Sequence, residues 1–376
     1  MEKLLDNPFL VAGYESPDYF CDRETETGTV ISALKNGRNV ALISPRRIGK
    51  TGLIHNVFYR LKENDKTARC FYIDIFSTQN LSDFVTLFGE SVLGQLDSFS
   101  EKVASNITAF FKSIRPLFSF DQQSGVPTVS FDIQPDKARN TLKEIFDYLK
   151  QSGKEIFIAF DEFQQITEYP EKGTEALLRS YIQFLPNVHF IFSGSKQHLM
   201  TAMFFAANRP FYRSSQIMNL QEIPIETYRI FALNLFSKYG KNFDSQVFDY
   251  IYNKMFGHTW YIQVILNKLF TDNKQQYAQI DADTTIEKLL KEENAIYKTY
   301  CELITKGQLR LLKAIAAEGK VAEPYESRFM QRYNLTAPSS VKLALKALIN
   351  KSLVLKDEDG KYFVYDRFFS LWLERL

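Results

Sequence analysis

The 376-residue chain holds three cysteines, Cys21, Cys70 and Cys301, far apart and without the spacing of metal ligands. That scarcity excludes a disulfide framework and a thiolate zinc site, and it reads as reduced thiols in a cytosolic protein. No uninterrupted apolar run approaches the ~18 residues of a membrane-crossing helix. The opening Met-Glu-Lys-Leu-Leu-Asp-Asn-Pro has no apolar signal region, so the expectation is a soluble, cytoplasmic protein. Formal net charge is only +2, and no global field draws the molecule to nucleic acid or membrane. Aromatics are abundant, with 33 Phe and 20 Tyr spread along helical patterns, where core packing is their ordinary use. The length allows two or three domains.

The stretch from Asn39 to Gly52 organises the chain: Asn-Val-Ala-Leu-Ile-Ser-Pro-Arg-Arg-Ile-Gly-Lys-Thr-Gly. Val40 to Ile43 is the short apolar run that a buried parallel strand needs, and from Thr51 a helical pattern places Leu53, Ile54, Val57, Phe58 and Leu61 on one side. The turn between them, Ser44, Pro45, Arg46, Arg47, Ile48, Gly49, Lys50, Thr51 and Gly52, suits a bound triphosphate. A polyphosphate exchanges its hydration for many converging donors, and a loop wrapped over a helix N-terminus supplies backbone N–H groups and partial positive charge. In this reading Lys50 reaches the β- and γ-phosphates of ATP and the Thr51 hydroxyl completes the shell of Mg²⁺. Ser44 stands where the pattern G-x-x-x-x-G-K-[ST] has its first glycine, and a modified loop is expected. A bare Gly-Lys-Thr also occurs in ordinary strand-turn-helix connections, so a second element has to decide.

That element is Glu155 to Glu162, a continuous apolar run ending in two carboxylates. A central strand covered on both faces has this composition, and its carboxyl end meets the site of an open α/β sheet. Asp161 is expected to hold Mg²⁺ through water, and Glu162 to orient the water that attacks the γ-phosphate. The competing use of adjacent acids is a solvated loop start or a helix cap.

Other strands are expected at Cys70–Ile75, Val188–Phe192 and Gln216–Leu220, with helices over 81–96, 103–114 and 138–149 and a small hairpin within 116–135. Ser193 and Ser195 are placed to sense the γ-phosphate or to cap the helix that starts near Lys196. Arg209 and Arg213 either reach a phosphate, in cis or across a subunit boundary of a homo-oligomer, or pair with surface acids. Tyr19 to Glu26 lines a base pocket or packs as an N-terminal arm. His258, at the Gly-His turn of a helical stretch over 226–268, is a candidate nucleotide contact or a packing residue. From Thr305 onward, three short helices and a hairpin turning at Asp359-Gly360 follow the winged-helix plan, and 13 Lys and Arg against 8 Asp and Glu give +5. Lys342, Lys346, Ser339 and Ser340 lie on the presumptive recognition helix, without an Arg, Asn or Gln near its start to read base edges. Such a module docks either a protein or DNA.

Ser-Pro-Arg-Arg-Ile-Gly-Lys-Thr (44–51), Phe-Ile-Ala-Phe-Asp-Glu-Phe-Gln (157–164), Phe-Ser-Gly-Ser (192–195) and Arg-Pro-Phe-Tyr (209–212) together resemble the archaeal-type AAA ATPases, within the STAND class of P-loop NTPases. Arg-Glu-Thr-Glu (23–26) and Arg-Phe-Phe-Ser-Leu-Trp-Leu (367–373) extend the resemblance over nearly the whole chain. It implies an α/β, AAA-like core of parallel strand order 5-1-4-3-2, a helical lid and a winged helix, divided as residues 1–222, 223–300 and 301–376. It also implies ATP with Mg²⁺ and a switch-like use of slow hydrolysis. Ser44 and the lid turn Gly257-His258-Thr259, which lacks the family's proline, depart from the pattern. A DNA-binding regulator that keeps ATP as a structural ligand is the alternative.

Overall fold

The computed structural model describes residues 4–93, 95–96, 110–113, 117–120, 127–130, 133–272, 274–357 and 359–376. Two compact units emerge: one spans Ala12–Tyr228, the other joins the described residues through Val11 to Arg229–Leu376.

The first unit is an α/β sandwich. Its elements are α1 (Glu24–Lys35), β1 (Asn39–Ile43), α2 (Lys50–Asn64), β2 (Arg69–Asp74), α3 (Leu81–Leu93), the hairpin β3 (Leu117–Phe120) and β4 (Pro127–Ser130), α4 (Ala138–Gln151), β5 (Ile156–Asp161), a 3-10 turn (Phe163–Glu168), α5 (Thr174–Ile182), β6 (Val188–Gly194), α6 (Gln197–Phe205) and β7 (Ser215–Met218). The main sheet runs β2-β5-β6-β1-β7, all parallel. Counting only its own strands, this is the expected order 5-1-4-3-2. The fifth strand sits two residues before its expected end, and the helix expected over 103–114 falls largely outside the described residues, as does the hairpin tip.

Continuous apolar runs make this sheet because both of its faces are covered. Side chains alternate along each strand, so Val40 and Leu42 join α1 and α2 on one side while Ala41 and Ile43 join α3, α4, α5 and α6 on the other. Every residue of β5 is buried. The phenylalanines cluster there: Phe163, Phe192, Phe204 and Phe211 contact one another, with Phe163 and Phe192 ring centroids 4.5 Å apart. Core packing is thus the main use of the abundant aromatics.

The second unit contains α7 (Ile225–Lys238, from Arg229 onward), β8 (Asn242–Phe243), α8 (Ser245–Lys254), α9 (Thr259–Thr271), β9 (Gln276–Tyr277), α10 (Gln279–Glu292) and α11 (Asn294–Glu302). The winged helix follows as α12 (Lys306–Glu318), α13 (Ser327–Arg332), α14 (Pro338–Asn350), the antiparallel pair β10 (Val354–Lys356) and β11 (Tyr362–Val364), and α15 (Arg367–Leu373). Every residue of α15 is buried. Tyr261 and Phe368 meet edge-on at 4.9 Å and Tyr297 stacks on Phe369 at 5.1 Å, so helical region and winged helix share one core. The first residues, expected in the N-terminal arm of the ATPase core, pack here instead. Phe9 is fully buried against Phe236, and Asn267 Nδ2 donates to Phe9 O at 2.7 Å. No helix among the described residues is long and apolar enough to cross a membrane.

Candidate functional site

β1 ends at Ile43 beside Gly194, β6 carries Phe192 beside Phe160, and β2 ends with Asp74 beside Asp161. These registers bring four strand ends to one rim of the sheet, and the site is assembled there.

The loop from Ser44 to Gly49 turns through left-handed backbone at Arg47 (φ 70°) and Gly49 (φ 105°). A Cβ on Gly49 would meet nothing within 4 Å, so glycine is required there for its backbone angle and not for space. At Gly52 the reverse holds, because a Cβ would lie 2.8 Å from the Phe20 ring. Phe20, from the N-terminal arm, thus packs on the first turn of α2. Arg23 in the same arm is buried, donating to Glu26 Oε1 at 2.6 Å and to Gln221 O at 2.5 Å. Helix α2 has no side-chain cap and no acid of its own in its first turn, so its N-terminal field is not offset from within the helix. Ile48 anchors the loop in the core.

Lys50 is only 6 % exposed, and its Nζ donates to Ser44 O and Pro45 O, both at 3.0 Å. Burial lowers its pKa even though Asp161 and Glu162 act in the opposite direction. Thr51 Oγ1 donates to Asp161 Oδ2 at 3.1 Å. Loop and strand-end acids therefore form one site. The buried hydroxyls of Ser44 and Ser193 have no hydrogen-bond partner among the described residues, so polar capacity is uncommitted on both sides of the loop.

Glu162 sits in left-handed backbone (φ 54°) ahead of the 3-10 turn and makes no cap bond with its side chain, which removes the helix-cap explanation for the paired acids. Its Oε2 accepts from Ser195 Oγ at 2.7 Å and Gln164 Nε2 at 2.5 Å. Arg46 Nε lies 3.2 Å from Ser195 Oγ and 3.7 Å from Glu162 Oε1. Ser195 thus links the loop to the second acid, whereas Ser193 is fully buried beside Leu42.

Two residues at this rim escaped the sequence reading. Tyr72 donates from its hydroxyl to Asp161 Oδ2 at 2.6 Å, and burial raises its pKa further above the ordinary phenol value. Asp74, next to Asp161 in register, has its pKa raised by burial, with the Asp161 and Glu162 charges adding to the rise. Both lay within a recognised strand; only the sheet order shows that its end joins the site.

Within this unit, Arg209 and Arg213 are not brought to this rim. Arg209 Nη2 donates to Glu175 Oε1 on α5, the acid-pairing alternative. Arg213 lies just before β7, whose first residue, Ser215, pairs with Asn39, the first residue of β1. That is the opposite rim, roughly 13 Å of strand away, which corrects the expected contact of Arg213 with a phosphate in its own chain. His258 belongs to the second unit, where it precedes α9 with its ring edge-on to Tyr261 at 6.1 Å.

The Thr51 hydroxyl and Asp161 carboxylate are hard oxygen donors of the kind Mg²⁺ takes alongside phosphate oxygens and water. Among the described residues no group of three or more His, Cys, Asp or Glu could hold a metal alone. The residues therefore fit Mg²⁺ as a partner of bound phosphate and not as a free-standing ion.

Residues 20–265 match the model of the ATPase domain predominantly from Archaea, and residues 295–375 match a model described as a probable winged helix domain. An uncharacterized ATP-binding protein of Methanocaldococcus jannaschii is 28% identical over 180 residues, which cover 44% of this chain and 49% of that protein. The chain thus spans about half the length of the curated relative it matches. Two solved structures share the fold over nearly all of both chains. The Walker-type ATPase of Pyrococcus abyssi has a TM-score of 0.67 at 16% identity, covering 98% of this chain and 100% of that one. The Aeropyrum pernix ORC2 protein, solved in ADPNP–ADP complexes, has 0.61 at 15%, covering 98% and 96%.

Proposed function

This chain belongs to the ATPase domain family found predominantly in Archaea, and on that premise we propose that it binds ATP with Mg²⁺ and hydrolyses it slowly as a conformational switch. The carrying observation is the 3.1 Å contact between Thr51 and Asp161, which ties the phosphate loop to the acidic strand end. Lys50 and the loop N–H groups of residues 44–50 bind the phosphates. Thr51 and Asp161 hold the metal, which when bound offsets phosphate charge and polarises the γ-phosphoryl group. Glu162 orients the attacking water. Its Oε2 is held by Ser195 and Gln164, which leaves Oε1 to accept the water's proton. Arg46, beside both Ser195 and Glu162, makes the position of the acid sensitive to the state of the loop.

In this reading the nucleotide state changes the placement of the helical and winged-helix regions, as the resemblance to STAND ATPases implies, and the winged helix docks a protein or DNA. An arginine from a second copy completing the site belongs to the same proposal. Phosphate release with and without Mg²⁺ tests the reading. Glu162→Gln is expected to retain ATP while turnover falls at least about a hundredfold. Lys50→Ala is expected to abolish binding. Turnover of Glu162→Gln at the normal rate would remove Glu162 from its role, and ATP binding by Lys50→Ala would displace the site.

A further inference from the structure

The rim of the sheet opposite the phosphate loop is also shaped. There the amino ends of β1, β6 and β7 open into a cleft of 1020 Å³. Four cations line it: Arg38 ahead of β1, Lys150 at the end of α4, Arg179 on α5 and Arg213 ahead of β7. Among the described residues no Asp or Glu is in its lining. None of the four makes an ion pair with a described residue, and Arg213 lies over the Tyr212 ring at 5.3 Å. Elsewhere in this unit arginine and lysine find acids, as in Arg23–Glu26, Arg209–Glu175 and Lys196–Glu168.

With 46 basic and 44 acidic residues in the whole chain, a concavity lined, among the described residues, by four bases and no acid is a concentration of one sign that the overall balance conceals. Phe184, on the short link between α5 and β6, stands at this cleft with 66 % of its surface exposed. His189 also lines it, packed on Phe157, and burial lowers its pKa while Glu155 acts the other way. At neutral pH it therefore contributes a ring and not a charge.

Guanidinium groups match phosphate oxygens in bidentate geometry, and an exposed aromatic ring accepts a nucleobase of any sequence. An acidic peptide would satisfy the charges and leave Phe184 without a role. We propose that this cleft binds single-stranded nucleic acid, with Arg38, Lys150, Arg179 and Arg213 on successive phosphates and Phe184 stacked on a base. The site is on the ATPase unit, distinct from the winged helix, and is independent of the hydrolysis reading.

The test uses the full chain and a labelled mixed-sequence single strand, followed by fluorescence anisotropy over a salt series, with duplex of the same sequence and polyglutamate as competitors. Arg38 and Lys150 are exposed, so Arg38→Glu combined with Lys150→Glu is expected to melt as the parent does. It should lose affinity about tenfold or more and lower the magnitude of the salt slope by about 1.4 or more. Phe184→Ala should lose about fivefold or more at an unchanged slope. ATP hydrolysis should be unaltered in both. Lys342→Glu combined with Lys346→Glu, on the winged helix, should leave strand affinity within about twofold of the parent. The proposal is overturned by absence of strand binding or by loss only in the winged-helix variant. It is equally overturned by full affinity in both cleft variants, or by polyglutamate or duplex competing as well as the strand.

Discussion

Replacing Lys50 by Met keeps the length of the side chain and removes its charge, which separates what the lysine does for nucleotide from what it does for the fold. The ammonium is 6 % exposed, and burial is the largest influence on it, outweighing the favourable charges of Asp161 and Glu162, so its pKa lies below the ordinary 10.5. For a lysine, a native pKa below the unfolded one means that the charged form is disfavoured by folding. The cost is therefore full below the native pKa, fades as pH rises from there toward the unfolded value, and is gone above it. Each unit of depression corresponds to about 1.4 kcal/mol. Methionine removes this cost but leaves Ser44 O and Pro45 O without their 3.0 Å donor, which offsets about 0.5–1.5 kcal/mol for each carbonyl that water does not reach. Without nucleotide near neutral pH, removing the desolvated charge is expected to outweigh the two lost carbonyl bonds, so that the Met variant melts above the parent. Differential scanning fluorimetry at stepped pH would show the gap between Met and Lys narrowing toward pH 10, while titration with fluorescent ATP would show no binding by the variant. A Met variant that melts below the parent at neutral pH, or a gap that widens as pH rises, would refute the reasoning.

Tyr72→Phe deletes the 2.6 Å bond to Asp161 without touching the phosphate loop, so the Mg²⁺ concentration for half-maximal hydrolysis should rise about tenfold while ATP binding in EDTA is unchanged. A Mg²⁺ titration of phosphate release decides it, and an unshifted midpoint removes Tyr72 from the site. In the second unit, Arg367 Nε donates to Lys254 O at 2.8 Å and Nη1 to Ser370 Oγ and Glu374 Oε1 at 2.9 and 3.0 Å, with the guanidinium 4.2 Å from the Phe256 ring centroid. Arg367→Ala should destabilise that unit by about 2–4 kcal/mol, and Arg367→Lys should recover little because an ammonium lacks the fork. Denaturant unfolding of the variants measures both; equal stability of Ala and parent would mean that the buried guanidinium holds nothing together.

The parts legible in the sequence were those whose chemistry is contiguous. Lys50 and Thr51 follow Gly49 directly, Asp161 and Glu162 end an apolar run, and the turn at Asp359-Gly360 sits between two short strands. Burial on both faces left β5 no polar residue before its last position, which is why it stood out. Illegible were relations between separated segments. The residues through Val11 precede the ATPase unit in sequence, yet a fully buried Phe9 ties them to Phe236 and Phe270 more than 200 positions later.

Strand direction explains the remaining misses together. In a parallel sheet every carboxyl end reaches one rim and every amino end the other, so rim membership depends on which side of a strand a residue stands and not on its distance along the chain. Tyr72 and Asp74, near the end of β2, lie 22 and 24 residues after Lys50 and still share its rim. Arg213, two residues ahead of β7, is assigned by the same rule to the opposite rim, where Asn39 begins β1. An arginine there cannot reach a phosphate held by its own loop, but it does meet Arg38, Lys150 and Arg179 around one cleft. The geometry that removes Arg213 from the proposed nucleotide site thus adds its charge to the proposed strand-binding cleft, and variants that separate the two rims, such as Glu162→Gln on one side and Arg38→Glu with Lys150→Glu on the other, test whether the two proposed activities fail independently.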